Sequence, residues 1–349
     1  MQMAYEQLLN RIAEDAWKFG IGLTPLLPMK QENNVTIYAK LEGFNKFKSV
    51  KDRAGFFMLK GAFQSGILDK TKTVIEASSG NTGLAVASIS SMLGLPCEIY
   101  VSEATSEETK EWIRKAGAKL VEVSDDLSRK GIINIDSAVR KLNERISDDP
   151  ERYVNLNQYS NSMNTLSHVY TTAPEIVSAL MPESKRPDIF VASIGTGGTI
   201  TGMSQYFRNR ADKTITIAAE PVKGHHIQGL KNLKVSKIPD ILRERMHFID
   251  GWISVNDGMA EKGVREILKY GYFAGLSSGA NYMAARKLAM NLKNCSIVTV
   301  FPDSAEKYRN SMVSRGMFSE NQFDRNCDDY LAIPEGAITL SQEEIILNS

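Results

Sequence analysis

The chain has 349 residues, of which 42% are hydrophobic and 24% charged, with a formal net charge of +1. That length suits one large domain or two ordinary ones, and the composition is that of a soluble globular protein. The near-neutral charge gives no field that would draw nucleic acid or an anionic membrane, and no window reaches the roughly 18 apolar residues of a membrane span.

The N-terminus, Met1 to Trp17, carries acidic and polar residues in an amphipathic pattern and does not read as a signal peptide. Strands are expected at 35–41, 73–77, 97–101, 119–123, 188–194, 214–219 and 296–301. Helical patterns fill 53–66, 81–93, 106–116, 130–146, 164–181, 199–209, 257–270, 279–293 and 304–314. This alternation predicts a layered α/β architecture. Runs such as Ile189-Phe190-Val191-Ala192-Ser193-Ile194 are apolar throughout, as strands covered on both faces are. The polar segment Ser147 to Arg152 is the linker expected between two lobes, and a ligand gripped by turns from both would lie between them.

Cys97, Cys295 and Cys327 lack metal-ligand spacing, and the first two, in or beside apolar runs, are read as small core residues. An odd cysteine count without a secretory signal favours a reducing cytoplasm. His168, His225, His226 and His247 form no zinc pattern, so no metal is expected.

The chemistry gathers around one lysine and two glycine turns. Lys51 stands in Ser49-Val50-Lys51-Asp52-Arg53, and Ser78-Ser79-Gly80-Asn81-Thr82-Gly83 and Gly195-Thr196-Gly197-Gly198-Thr199 follow downstream. A lysine amine can hold an aldehyde cofactor, and such turns offer backbone N–H groups to anions. Gly195 to Thr199 joins a strand to a helix, where glycines admit a ligand close to the backbone and the helix start favours phosphate. A dinucleotide fingerprint fails because Ile200 stands where its third glycine belongs, and no Gly-Lys-Ser/Thr completes a Walker loop. A plain strand-to-helix turn remains the other reading.

Ser78 to Gly83 likewise joins a strand to a helix and either cradles a carboxylate or merely caps the helix start. The Asn81 amide can donate and accept toward a ring substituent. Near the C-terminus a strand runs into Pro302-Asp303-Ser304. Ser304 either caps the following helix or offers its hydroxyl to a ring nitrogen. A neutral hydroxyl there, unlike an aspartate, would leave a pyridine weakly protonated and favour β-elimination and replacement over transamination.

These motifs resemble those of the fold-type II pyridoxal 5′-phosphate enzymes, the cysteine synthase and cystathionine β-synthase family. The resemblance covers roughly residues 20 to 315. It includes Thr24-Pro25-Leu26, Lys40-Leu41-Glu42, Asn45, the Lys51 motif, both glycine turns, Asn157-Gln158-Tyr159-Ser160-Asn161, Gly275-Leu276-Ser277-Ser278-Gly279-Ala280 and Pro302-Asp303-Ser304. It implies two α/β lobes with pyridoxal phosphate between them: a large lobe of 1–44 and 151–315, a small mobile lobe of 45–150, and a C-terminal extension, 316–349. Lys51 would hold the cofactor, Gly195, Thr196, Gly197, Gly198 and Thr199 its phosphate, Asn81 its 3′-oxygen and Ser304 its pyridine nitrogen. Ser78, Ser79, Gly80, Thr82 and Gln158 would hold the substrate carboxylate, with the small lobe closing over it.

The stretch from Gly224 to Asn232 resembles the B-type and O-phosphoserine-using enzymes, and Lys231 stands at their basic position, where arginine is usual. Two features depart from the family. Lys46 and Lys48 replace common Pro and Gly or Thr, and 318–349, with Asp324 to Asp329, has no aligned counterpart. The stretch from Asn157 to His168 also resembles the diaminopropionate-forming synthases, which leaves the nucleophile open. The expected activity is β-replacement on O-phosphoserine or O-acetylserine with sulfide, in a cytoplasmic homodimer that binds neither nucleic acid nor membrane. Lys51 would serve as general base. Elimination or desulfhydration is the rival within the family, and a non-catalytic binding protein is the rival outside it.

Overall fold

The computed structural model describes residues 2–126, 128–130, 135–183, 185–210, 213–320 and 332–345. Through the first third run α1 (Gln2–Lys18), β1 (Leu26–Lys30), β2 (Val35–Leu41), α2 (Lys51–Gln64), β3 (Thr73–Ala77), α3 (Asn81–Met92) and β4 (Cys97–Ser102). Then follow α4 (Glu107–Lys115), β5 (Lys119–Val123), α5 (Ile135–Asp148), β6 (Tyr153–Asn155), α6 (Ser162–Ser167), α7 (Ala173–Leu180), β7 (Ile189–Ser193) and α8 (Gly198–Asn209). The last third holds β8 (Ile215–Pro221), α9 (Asp240–Arg245), β9 (Gly251–Val255), α10 (Asp257–Leu268), α11 (Leu276–Ala289), β10 (Cys295–Phe301) and α12 (Arg309–Ser314). The fold is α/β, and it falls into two compact units: Met1–Val50 with Thr165–Ser349, and Lys51–Asn164.

The first unit is built on a six-stranded sheet in the order β1-β2-β10-β7-β8-β9, parallel except for the β1–β2 pair. Successive residues of a strand point to opposite faces, and here both faces are apolar. On β10, Ile297 and Phe301 join the layer that includes Ala260, Val264 and Ala284, while Val298 and Val300 join the layer of Ile176, Met203 and Phe207. Helices α10 and α11 therefore cover one face, and α7 and α8 the other. Beyond the sheet, Ile338 pairs with Leu26 of the edge strand β1, each donating its N–H to the other's carbonyl at 2.8 Å. Met317 and Phe318 are buried in the α10–α11 layer.

Several residues of the Thr24 to Asn45 motifs are structural. Lys40 and Glu175, both buried, pair at 2.8 Å, and Trp17 donates to the same carboxylate at 2.9 Å. Glu42 accepts from the Thr24 hydroxyl at 2.8 Å and the Asn45 amide at 2.7 Å, while Asn45 accepts the Gly22 N–H at 2.7 Å. Each of these buried polar groups has its partner, so the network fixes the chain ahead of Ser49. Lys48 adopts φ 68, a conformation that glycine enters without strain, which explains why a glycine is a common occupant there.

The second unit is a four-stranded parallel sheet in the order β5-β4-β3-β6. Because Tyr153, Val154 and Asn155 pair with Thr73, Val74 and Ile75, the polar turn after α5 lies inside this unit, and the chain leaves it at Asn164. Cys97 is buried in this unit, whereas Cys295 is half-buried at the start of β10. Cys327, the stretch Asp324 to Asp329 and residues 131–134 of the helix expected at 130–146 lie outside the described residues. The helix expected over 164–181 is interrupted by a wide π-type turn at His168–Thr172.

Candidate active site

In the second unit Lys51 opens α2, half-buried and followed by the buried Asp52 and Arg53. The turn from β3 into α3 carries Ser78, Ser79, Gly80, Asn81 and Thr82. Ser78 is held by its N–H to the Tyr100 carbonyl at 3.0 Å. A Cβ on Gly83 would lie 2.6 Å from the Ser78 carbonyl oxygen, so only glycine lets the turn fold back this tightly. Helix α3 starts on Gly80, which has no capping oxygen, and its first turn has no acidic residue. Its leading N–H groups and positive dipole end are thus suited to an anion. Thr82 donates its hydroxyl proton to the Gln158 side-chain carbonyl at 2.6 Å, and both residues are buried. That bond leaves the Gln158 amide group as a donor beside the helix start. The structure therefore brings Gln158, 76 residues away from Thr82 in the chain, to the turn with which the family resemblance grouped it.

In the first unit the glycine turn Gly195–Thr199 joins β7 to α8. Gly197 sits at φ 87, and a Cβ there would lie 2.8 Å from that of Leu242. A Cβ on Gly195 would lie 2.4 Å from the Gly229 carbonyl oxygen, because the stretch after β8 runs back alongside this turn. That stretch is tied by the Lys231 N–H to the Ile194 carbonyl at 2.8 Å, which sets half-buried Lys231 next to the turn in the fold. The Thr196 hydroxyl accepts the Gly198 N–H at 3.3 Å, and the helix has no acidic residue in its first turn.

Behind Thr199 lies His168, 2% exposed, with Nε2 3.2 Å from the Thr199 hydroxyl and Nδ1 2.9 Å from Thr172. The sequence singled out the stretch to His168 without giving the ring a part. The interrupted helix that presents it is a form often found at functional sites.

Ser304 lies at the carboxyl end of β10, next to β7 in the sheet, where ligands of such sheets bind. Two backbone bridges, Ser49 with Asp303 and Ala274 with Ser304, and the Val50 N–H to Pro302 carbonyl bond at 2.8 Å fix this segment. Tyr308 donates to the Asp303 carboxylate at 2.6 Å. Ser304 heads the short 3-10 turn Ala305–Tyr308 yet makes no capping bond. Its hydroxyl is buried and has no hydrogen-bond partner among the described residues. The capping reading of Ser304 is thereby excluded, and a ligand atom would satisfy the orphaned hydroxyl.

Taken by itself, the first unit offers a glycine-shaped phosphate cradle and an orphaned hydroxyl suited to a ring nitrogen, and the second offers a half-buried lysine amine; these are the kinds of group that pyridoxal phosphate asks for. Neither of the two described cysteine thiols offers a competing nucleophile: burial pushes Cys97 up to about 12 and Cys295 up to about 11. Among the described residues no group of three His, Cys, Asp or Glu side chains could hold a metal ion, and no helix is long and apolar enough to cross a membrane.

Comparison with known proteins gives the same class. The chain belongs to the pyridoxal-phosphate dependent enzymes, whose family model matches residues 18–303, and it is a pyridoxal-phosphate-dependent enzyme of fold type II. It is 39% identical to a cysteine synthase of Aquifex aeolicus over 82% of this chain and 88% of that protein. Cysteine synthase A of Escherichia coli is 32% identical over 90% of this chain and 99% of its own length. Among solved structures, a hydrogen sulfide-producing enzyme from Fusobacterium nucleatum is 30% identical with a TM-score of 0.79, covering 93% of this chain and 98% of that one. O-acetyl serine sulfhydrylase isoform 3 from Entamoeba histolytica, 30% identical, has a TM-score of 0.77 over 92% of this chain and 96% of its own.

Proposed function

We propose that the protein is a cysteine synthase, exchanging the β-substituent of O-acetylserine or O-phosphoserine for sulfide to form L-cysteine. Lys51 would hold the cofactor through its amine and, once free of it, would take the proton from the α-carbon of the amino acid. The cofactor supplies an electron sink for the pair left behind. Gly195, Thr196, Gly197, Gly198 and Thr199 bind its phosphate, Asn81 its 3′-oxygen, and Ser304 its pyridine nitrogen. Ser78, Ser79, Gly80, Thr82 and Gln158 grip the substrate carboxylate, and Lys231 faces a charged leaving group. The phosphate-binding part thus belongs to the first unit and the carboxylate-binding part to the second. The enzyme works in the cytoplasm as a homodimer, as the resemblance to cysteine synthases implies.

The observation that carries this reading is Ser304, a buried neutral hydroxyl without a partner among the described residues. A neutral group at the ring nitrogen favours loss and replacement of a β-substituent over transamination. A second reading, release of hydrogen sulfide from cysteine, is favoured by the likeness to the Fusobacterium enzyme. Both begin with the same proton transfer to Lys51.

Incubating the protein with pyridoxal phosphate, sulfide and each serine ester in turn, with products identified by mass spectrometry, tests the choice. Cysteine is expected, and a faster reaction with O-phosphoserine would mark Lys231 as a phosphate contact. Pyruvate and sulfide from cysteine, with no synthesis, would support the second reading. Lys51→Ala should abolish turnover together with the borohydride-reducible attachment of the cofactor. Reducible attachment at a different lysine would overturn the assignment.

A further inference from the structure

Tyr272 lies in the turn between α10 and α11 and is 3% exposed. Nothing in the reaction described above uses it. Its ring stacks with Phe44, centroids 6.1 Å apart and planes 23° off parallel, and with Phe301 at 6.0 Å and 21°. These are ordinary stacked contacts, and a phenylalanine would make both without burying a hydroxyl. Yet the phenol oxygen is buried with no hydrogen-bond partner among the described residues. A hydroxyl taken out of water and left unmatched costs stability, so the oxygen needs a use that the stacking does not give it.

Glycine geometry locates that oxygen. A Cβ built on Gly43 would lie 2.3 Å from the Tyr272 hydroxyl, so only glycine at 43 leaves room for it. The same Cβ would lie 3.1 Å from the Ser304 nitrogen and 3.3 Å from the Ser304 Cβ. Tyr272 and Ser304 thus meet over one glycine, and their two segments are laced together. Ala305 donates its N–H to the Phe273 carbonyl at 2.9 Å, Gly275 donates to the Asp303 carbonyl at 3.3 Å, and Ala274 bridges to Ser304. All of these residues belong to the first unit. Two buried hydroxyls therefore converge there without bonding each other.

We propose that Tyr272 is the positioning residue for Ser304: its phenol donates to the Ser304 hydroxyl when a ring nitrogen engages that hydroxyl, which leaves the serine proton for the nitrogen. This rests on the reading of Ser304 as the partner of the cofactor ring. A serine hydroxyl has one proton to give and lone pairs to receive another. With a donor behind it, Ser304 turns its own proton outward and meets an unprotonated pyridine. Hydroxyls in a chain also polarise one another, which strengthens the outer donor.

The phenol suits that part because it keeps its proton. Burial first, then the charges of Asp303 and Glu42, push it well above the ordinary tyrosine range. The Gly43 N–H works the other way. An N–H can only donate to the phenol oxygen, however, so the phenol's own proton is still there to be given.

The test is a thermodynamic cycle on cofactor binding, which needs no turnover. Cofactor-free protein is prepared as wild type, Tyr272→Phe, Ser304→Ala and the double variant, and each is titrated with pyridoxal phosphate and followed by absorbance. Tyr272→Phe should weaken affinity about two- to tenfold and Ser304→Ala about tenfold. Because the phenol acts through the serine, the double variant should bind no more weakly than Ser304→Ala, whereas independent contacts would multiply their losses. The melting temperature of cofactor-free Tyr272→Phe should be unchanged or raised, since no protein bond is lost and the stacking is kept. Wild-type affinity in Tyr272→Phe, or losses that multiply in the double variant, would overturn the inference. So would a destabilised cofactor-free Tyr272→Phe, which would give the phenol a structural part. Normal affinity in Ser304→Ala would remove Ser304 from the ring and the inference with it. A protein that completes the cycle as expected yet makes no cysteine would overturn the proposed reaction alone.

Discussion

A buried hydroxyl without a partner costs a fold about 1–3 kcal/mol, and among the described residues Ser304 has none. Ser304→Ala should therefore leave the melting temperature of the cofactor-free protein unchanged or slightly raised, because no protein bond is lost. Affinity for pyridoxal phosphate should fall by about tenfold, the worth of one hydrogen bond to the ring. Calorimetry of the cofactor-free protein with titration of the cofactor checks both, and a destabilised apoprotein with normal affinity would return Ser304 to a structural part. Ser304 could be singled out in the sequence because its setting is local, a serine directly after a strand and Pro302-Asp303. His168 could not, since a lone His in a helical run acquires meaning only from partners that folding brings to it. The Thr199 hydroxyl lies 31 residues from His168.

At the scale of elements, the proposed carboxylate grip depends on local geometry at the start of α3. Thr82→Ala removes the 2.6 Å bond to Gln158 and one hydroxyl from the helix start. An anion at a helix N-terminus gains about 0.3–1 kcal/mol when exposed and up to about 2 when partly buried. The amino-acid KM should rise by roughly two- to thirtyfold with cofactor affinity little changed, and steady-state kinetics beside a cofactor titration measure the two separately. An equal loss of both would put Thr82 in contact with the cofactor. The seven strands expected from the sequence are all present, and the three that it did not offer, β1, β6 and β9, are all sheet edges. The reason is physical. Strand β1 contains Pro28, which edge strands tolerate and which breaks the usual strand pattern. Strand β6 has three residues, too few for any periodicity, and β9 alternates around an exposed Trp252. Interior strands announce themselves as apolar runs because both faces are covered.

For the whole molecule, the division of the chain depends on that short strand. Segment 151–164 goes with the second unit because Tyr153–Asn155 pairs with β3, a fact of pairing that polar composition around Ser147 to Arg152 does not carry. The tail was equally opaque, having no motif, yet its described part has a defined seat on β1. Leu26 is 1% exposed, and its N–H and carbonyl both bond to Ile338, so the open edge of the six-stranded sheet is blunted by the chain's own C-terminal segment. An unprotected edge is a template for pairing with other chains. Ile338→Pro removes the N–H that the buried Leu26 carbonyl accepts, which should cost about 1–3 kcal/mol and lower the melting temperature by a few degrees. Ile338→Val keeps the donor and most of the apolar contact and should shift it by less, about 1 kcal/mol. If the edge explanation is right, the proline variant should also aggregate faster on heating, with a dependence on protein concentration that the valine variant lacks. Equal melting temperatures and equal aggregation rates for the two variants would mean that the bridge at Leu26 contributes nothing to the sheet edge.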